Sequence, residues 1–135
     1  YITVAVKQRL HQRNFRERVL IAYQTSCAFC NLRHRELLDA AHIIPDCEPE
    51  SKPIVSNGMA LCKLHHSAYD SFILGVTPDF LIKVRDDVLN EEDGPILKYG
   101  LKQLHNSSMI LPSSKNHWPG KEYLEWRYER FKKVA

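Results

Sequence analysis

Two short stretches of the sequence, Cys27-Ala-Phe-Cys30 and Cys62-Lys-Leu-His65, decide the fold. Each stretch places two metal-ligand side chains three positions apart, so that one tight turn can direct both at a single ion. Two such pairs supply the four ligands of a tetrahedral structural zinc site, which keeps no open position for chemistry. The alternative, a disulfide or ordinary buried cysteines, is disfavoured by the paired spacing and by the lack of a secretion signal. Cys47 lies outside both pairs and is predicted to be a spare thiol in a loop.

The length and charge of the chain set broad limits on its class. The 135 residues fit one domain with a modest core, which would gain stability from a metal staple. The net charge of +3 permits contact with a phosphate backbone without demonstrating it. No apolar run approaches the roughly 18 residues needed to cross a bilayer, and no charged-then-apolar leader opens the chain, so we expect a soluble protein in a reducing compartment without a membrane partner. A start at Tyr1 rather than Met leaves open a longer parent polypeptide.

The hydrophobic pattern predicts a strand, loop, strand and helix unit between two outer helices. The central elements are predicted over 36–44 (strand), 45–56 (loop), 59–61 (strand, after the Asn57-Gly58 turn) and 63–71 (helix). An Arg-rich amphipathic helix is predicted over 7–24, with Leu10, Phe15, Val19, Ile21 and Ala22 as its apolar positions. A last helix is predicted over 122–134, with Tyr123, Trp126 and Phe131 buried. Residues 80–84 are predicted as a strand that extends the same sheet.

The helix that begins at Lys63 carries two neighbouring histidines with different orientations. His66 and Asp70 are four positions apart and share one face, while His65 points about 100° away. One face can therefore hold a catalytic metal while His65 serves the zinc. The simpler alternatives are that His66 is an ordinary histidine at the start of a helix and that Asp70 is a solvated acid. These alternatives leave the adjacent His65-His66 pair unexplained. His42 lies among apolar neighbours in the first strand, where a lone histidine is more often a core residue.

The segments Ala40-Ala-His42-Ile-Ile-Pro45 and Asn57-Gly-Met-Ala-Leu-Cys-Lys-Leu-His-His66 together resemble the HNH nuclease motif of the ββα-metal endonucleases. The 15-residue step from His42 to Asn57 and the nine-residue step to His66 match the spacing in that family. The paired zinc ligands match its zinc-bearing branch. The wider pattern is similar to HNH domains of bacterial restriction endonucleases, some of which cut modified DNA with a separate reader domain. It includes Phe15-Arg16 and Val19-Leu20 before the first zinc pair and Tyr69-Asp70 after the histidines.

The resemblance implies an α+β fold within a single domain, residues 1–135. Its ββα-metal core, at about residues 27–72, would be stapled by structural Zn2+ and flanked by N- and C-terminal helices. It also implies a metal-dependent endonuclease that hydrolyses double-stranded DNA as the cleavage domain of a restriction enzyme, with Mg2+ or Mn2+ as the catalytic cation. The alternative class is a non-catalytic, zinc-stabilised DNA-binding module. A zinc-dependent hydrolase of small substrates would need an open zinc position, which four protein ligands do not leave.

Carried over to this chain, the resemblance assigns a role to each of the three motif residues. His42 becomes the general base that takes a proton from the attacking water, a task suited to imidazole because its unperturbed pKa is near neutral. His66 would bind the divalent ion that stabilises charge at the scissile phosphate. Asn57 would either pin the loop that orients His42 or ligate the ion, and its simpler alternative is an Asn-Gly turn residue.

The chain departs from the family pattern at Ala41, where many relatives carry an Asp or His metal ligand directly before the base. Asp39 could replace that ligand, although strict strand alternation places it on the opposite face from His42 unless the strand twists or bulges. Asp70 is the other candidate. If neither compensates, water and phosphate would supply most of the ligands, as they often do for Mg2+.

Recognition of DNA is only weakly indicated by the sequence. The candidate phosphate contacts are Arg33, Arg35 and Lys63, which flank the zinc pairs. The Arg-rich face of the first helix, formed by Arg9, Arg13, Arg16 and Arg18, could also lie on DNA, although such a face is more often simply solvated. No segment resembles a base-reading helix, so specificity for sequence or modified bases is expected to reside in a separate reader domain. Cutting both strands would favour a homodimer.

Overall fold

The computed structural model describes residues 3–92 and 94–135, and it consists of helices around two small sheets. Its main elements are α1 (Val4–Ala22), β1 (Leu38–His42), β2 (Gly58–Cys62), α2 (Lys63–Asp70), β3 (Leu74–Val76), β4 (Ile82–Val84), α3 (Asp86–Leu89) and α4 (Lys121–Val134). A π-helical segment, Ile96–Leu101, lies between α3 and α4. Within the described ranges, no helix combines the length and apolarity that a membrane crossing needs.

The ββα core is an antiparallel hairpin followed directly by a helix. β1 pairs with β2 in an unbroken register that runs from Leu38 opposite Cys62 to His42 opposite Gly58. Because α2 starts immediately after Cys62, the helix begins at the cysteine end of the hairpin. The hairpin thus separates Cys62 from His42 by its whole length. The predicted α+β class, with a ββα core and flanking helices, is confirmed.

Helix α1 packs on the hairpin through its C-terminal half. Phe15, Val19 and Leu20 are its buried residues, whereas Leu10 and Ile21, which the pattern placed on the apolar face, are exposed. A side chain at position 58 would place its Cβ 2.7 Å from both Phe15 Cζ and Val19 Cγ2. Glycine at this position therefore allows α1 to lie directly against the hairpin, opposite His42.

The prediction that residues 80–84 extend the sheet of β1 and β2 is wrong. The strand in the 80–84 region is Ile82–Val84, and it pairs with Leu74–Val76 in a separate two-stranded sheet. The intervening turn supplies the reason, because the Thr77 hydroxyl accepts hydrogen bonds from two of its backbone amides and closes a local hairpin. Because β4 already pairs with the adjacent antiparallel strand β3, it does not join the sheet of β1 and β2.

Helix α4 covers this second hairpin. A Cβ at Gly75 would lie 2.6 Å from Phe131 Cγ, so the aromatic ring rests directly on the strand backbone. Leu124 and Arg127 are buried in place of the predicted Trp126, which is half-buried. Arg127 donates a hydrogen bond to the Tyr69 carbonyl at 2.7 Å and thereby joins α4 to the end of α2. The C-terminal helix thus braces the ββα core from behind.

Candidate functional site

Four predicted zinc ligands converge into one compact cluster. The ligand atoms of Cys27, Cys30, Cys62 and His65 all lie within 4.8 Å of one another. His65 Nδ1 is 3.6 Å from Cys27 Sγ and 3.3 Å from Cys62 Sγ, and the Cys30 and Cys62 sulfurs are 3.9 Å apart. A tetrahedral zinc shell with ordinary bond lengths has ligand-to-ligand edges of roughly 3.5–3.8 Å. The donor set therefore fits a four-coordinate structural metal ion.

The orientation of His65 is fixed from outside the cluster. Its Nε2–H donates to the Gly100 carbonyl at 2.6 Å, which leaves the lone pair of Nδ1 directed at the cysteines. The side chain is buried in the first turn of α2. The tautomer needed for metal ligation is thus the one that the π-helical segment selects.

His66 faces a different environment one position along the same helix. Its Nδ1 lies 2.8 Å from a carboxylate oxygen of Asp39, and its Nε2 lies 3.1 Å from one of Asp70. Hydrogen bonds to Asp70 and Asp39 outweigh burial and raise the pKa of His66 to about 8. The imidazole therefore bridges two carboxylates at the edge of an open cleft.

Asp39 reaches this cleft although strand alternation predicted the opposite face. The β1–β2 register is unbroken, so no bulge brings it there. Its two carboxylate oxygens are drawn instead toward the start of α2, where Lys63 contacts one and His66 the other. Burial alone would raise the pKa of Asp39, but these hydrogen bonds prevail and lower it. Asp39 and His42 both line the cleft beside His66.

The His42 imidazole lies flat on an aromatic ring from α1. The ring centroids of His42 and Phe15 are 4.2 Å apart with an interplanar angle of 11°. Burial lowers the pKa of His42, only partly opposed by the charge of Asp46. Over residues 3–92 and 94–135, neither ring nitrogen has a hydrogen-bond partner. His42 is therefore neutral at neutral pH, with a nitrogen free to accept a proton.

Asn57 is completely buried and holds the loop that follows His42. Its Oδ1 accepts the Ile44 N–H at 2.9 Å, and its Nδ2 donates to the Ile44 and Lys52 carbonyls at 3.2 and 3.0 Å. A further contact joins Nδ2 to Ser51 Oγ at 3.1 Å. One side chain thereby fastens both ends of the loop between Ile44 and Lys52.

These positions can be compared with known proteins. Residues 27–77 match the family model of HNH endonucleases. The HNH segment contains all four cluster ligands and also His42, Asn57 and His66, so the resemblance seen in the sequence is confirmed.

The fold is also similar to a solved structure described as a modification-dependent TagI restriction endonuclease. The identity is 15% and the TM-score 0.59, over 87% of this chain and 37% of that chain. At that identity the likeness concerns the fold alone, and the chain spans little more than a third of that protein's length. No curated protein sequence matches the chain.

None of the three predicted phosphate contacts is itself part of the cleft lining. Arg35 forms an ion pair with Glu17 of α1, and Lys63 is engaged by Asp39. Arg33 lines a separate shallow depression beside Asn31 and Pro112. Of the three, Lys63 is the one in direct contact with a cleft residue.

Side chains from α1, outside the HNH segment, complete the cleft. Gln12, Phe15 and Arg16 line it together with Asp39, His42 and His66, and Asp46 contributes from the loop. Sequence reasoning assigned none of these four added residues to the site. The Phe15-Arg16 pair did belong to the wider resemblance. That pair was the sequence feature from which a role of α1 at the cleft could have been predicted.

Proposed function

We propose that this chain is a metal-dependent DNA endonuclease domain that hydrolyses phosphodiester bonds and acts as the cleavage domain of a restriction enzyme. The observation that carries the proposal is one cleft in which a neutral, unpaired His42 faces His66, itself held between two carboxylates. The match of residues 27–77 to HNH endonucleases supports the same chemistry.

His42 acts as the general base in this proposal. A water placed in the cleft donates its proton to the free ring nitrogen as it attacks the phosphorus atom, and the bond from phosphorus to the 3′ oxygen breaks. The lowered pKa keeps the imidazole unprotonated at neutral pH, which is the state a base requires. Stacking on Phe15 restricts the ring to one plane, and the loop held by Asn57 fixes the backbone beyond it. We assign Asn57 to this pinning role because its amide is turned into the loop.

The donor set around His66 fits a hard divalent cation such as Mg2+ or Mn2+. A ligating histidine usually donates its other ring N–H to a carboxylate. Asp39 suits that orienting role, because both of its oxygens are already engaged, by Lys63 and by His66 Nδ1. His66 Nε2 and the more exposed Asp70 would then hold the cation. When bound, such an ion stabilises negative charge on the phosphate and on the departing 3′ oxygen.

The cysteine cluster is assigned to structural Zn2+. Three sulfurs and one nitrogen are a soft donor set with tetrahedral edges, which zinc prefers. All four positions are filled by protein, so the cluster takes no part in hydrolysis. Its role is to fix the start of α2, and with it the direction in which His66 points.

The proposed substrate is double-stranded DNA, with Arg33, Arg35 and Lys63 as candidate phosphate contacts. Residues 1–135 would form a single nuclease domain in the cytoplasm. Selection of a DNA sequence or of modified bases is assigned to a separate reader domain, and cleavage of both strands to a homodimer.

Plasmid cleavage tests this proposal. The purified chain is incubated with unmodified and with methylated plasmid in Mg2+, in Mn2+ or without added divalent cation, beside the His42→Ala variant and the control His34→Ala. His34 is an exposed histidine in contact with Glu36, and it is not part of the cleft lining. We expect cation-dependent nicking or linearisation that falls by about 10²–10⁴-fold in His42→Ala and is unchanged in His34→Ala. Binding without cutting on every plasmid would instead indicate a non-catalytic DNA-binding module.

A further inference from the structure

The N-terminal half of α1 extends beyond the packed core. From residue 4 to residue 14 all side chains are exposed except that of Val6, which is half-buried, and Phe15 is the first buried residue. We call residues 4–14 the overhang. At 1.5 Å per residue it is about 16 Å long, or three helical turns. This length is comparable with the width of a DNA groove and its walls.

The overhang continues the face of α1 that looks toward the cleft. Phe15 and Val19 define that face, because both pack against Gly58 of the hairpin. In a helix, residues three and four positions apart lie on the same side, so Gln12 and then Gln8 prolong it toward the N-terminus. Gln12 itself lines the cleft. A ligand that fills the cleft and extends along α1 would therefore meet uncharged amide side chains.

Basic residues flank this amide face on both sides. Arg9, Arg13 and Arg16 follow one another at helical spacing along one flank, and Lys7, His11 and Arg18 lie along the other. The overhang contains no Asp or Glu. Among the residues that the structure describes, Lys7, Arg9 and Arg13 have no ion-pair partner. The positive charge of the overhang is thus available to a ligand.

We propose that the overhang is a DNA-binding arm that lies against the same duplex whose scissile phosphate occupies the cleft. Gln8 and Gln12 face the duplex, and the two basic flanks contact its phosphates. This inference rests on the proposed nuclease function and assigns to the chain a share of the recognition expected from a separate reader.

Duplex DNA fits this surface better than a protein partner does. A duplex places phosphates on both sides of any element that enters a groove, as the two basic flanks require. The major groove admits an α-helix, and glutamine can hydrogen-bond base edges while remaining uncharged. A second copy of this chain would bring a surface of net positive charge to a positive helix.

The salt dependence of binding tests the arm. Affinity for a labelled duplex is measured without added divalent cation over a range of salt concentrations, in a His42→Ala background, for Arg9→Ala/Arg13→Ala and for Lys132→Ala/Lys133→Ala. Both double variants lose two positive charges from exposed positions, but the second pair lies at the end of α4. We expect the Arg9/Arg13 variant to reduce the slope of log affinity against log salt by about 1.8 and to bind roughly 10- to 60-fold more weakly near 0.1 M salt. Equal slopes for the two double variants would overturn the proposal.

Two further measurements complete the test. Gln8→Ala/Gln12→Ala should weaken binding without changing the salt slope, because it removes no phosphate contact. In the chain with His42 intact, Arg9→Ala/Arg13→Ala should raise the KM for cleavage and leave kcat unchanged. If the parent chain cuts no DNA, the nuclease proposal fails. The binding measurements still show whether the overhang binds DNA. A change of oligomeric state with unchanged DNA affinity would identify a second copy as the occupant and overturn the proposal.

Discussion

The cysteine cluster and the open cleft meet at two adjacent histidines of one helix, and the two residues have opposite surroundings. His65 is 2% exposed among three cysteines, whereas the side chain of His66 is 26% exposed between two carboxylates. The rotation of about 100° between successive helical residues is sufficient to separate a closed site from an open one. A single turn of α2 thus supplies one histidine to the buried cluster and the next to the open cleft.

The two sites also differ in the kind of ion that their donors favour. Sulfur and imidazole favour zinc, while carboxylate and imidazole at an open surface accept a harder cation that keeps some of its water. Because the ligand types differ, two different ions can be held close together in sequence without exchanging places. The following predictions test this division of labour, from the largest expected effect to the smallest.

Loss of one cluster ligand should abolish the fold. Binding of a structural zinc contributes on the order of 10 kcal/mol to small zinc domains, so Cys27→Ala is expected to lack a cooperative thermal transition and to lose its metal. Cys47→Ala provides the matched control, since Cys47 is an exposed cysteine outside the cluster. Circular dichroism melting and metal analysis measure both effects. A folded, metal-free Cys27→Ala protein would show that the cluster is dispensable.

Removal of the Asn57 amide should impair the cleft but destabilise the whole fold less than loss of a cluster ligand. Asn57→Ala leaves buried partners of the loop unsatisfied, at a cost of about 2–4 kcal/mol in the free energy of unfolding. Cleavage should fall while the metal content stays at that of the parent chain. Denaturant unfolding and metal analysis separate the two effects, and concurrent loss of metal would argue against independent sites.

The stack between Phe15 and His42 should affect rate more than stability. Phe15→Leu keeps most of the apolar volume, so we expect a loss of no more than about 1.5 kcal/mol in the free energy of unfolding, together with slower cleavage. Phe131→Leu makes the same change at a buried ring that packs on Gly75 instead of on His42. We expect the two variants to have comparable stability in melting assays. In kinetic assays, only Phe15→Leu should cleave more slowly. Equal rates would mean that the ring merely fills space.

The cation requirement should depend on pH through His66. Because its pKa is raised to about 8, the imidazole is protonated below that pH and must lose a proton before Nε2 can bind an ion. The Mg2+ concentration for half-maximal cleavage should therefore fall as pH rises, by about tenfold per unit below pH 8, and level off above it.

Two carboxylate variants sharpen this prediction. Asp70→Asn removes the proposed co-ligand and should raise the Mg2+ requirement more than Asp39→Asn, which removes an orienting contact. Mg2+ titrations of the cleavage rate at several pH values provide the measurement. A requirement that does not vary between pH 6 and 8 would exclude His66 as a ligand.

Much of the core could be predicted because its chemistry depends on spacing along the chain. The ligand pairs and the helix from Lys63 are local patterns, and the structure brings Cys27, Cys30, Cys62 and His65 together as expected. The predicted Asn57-Gly58 turn is instead the last residue of a 3-10 helix, Val55–Asn57, followed by the first residue of β2. The roles of His42, Asn57 and His66 stay predictions until cleavage is measured.

The contributions that sequence reasoning missed come from contacts between distant segments. Strand alternation could not place Asp39 in the cleft, because its position depends on Lys63 and His66 at the start of α2. The stack of Phe15 on His42 depends on how closely α1 approaches Gly58. The second sheet was missed because the short strand Leu74–Val76 carries too few residues to show a period of two.

The hydrogen bond from His65 to the Gly100 carbonyl makes the state of the metal cluster observable at a distant part of the chain. The π-helical segment Ile96–Leu101 follows the HNH segment, yet one of its carbonyls selects the tautomer of a metal ligand. Removal of the ion frees His65 to rotate, and the segment then loses a bond that holds it in place. Amide hydrogen exchange in this segment should accelerate at chelator concentrations at which the amides of the ββα hairpin are still protected, so that Ile96–Leu101 acts as a built-in reporter of metal occupancy.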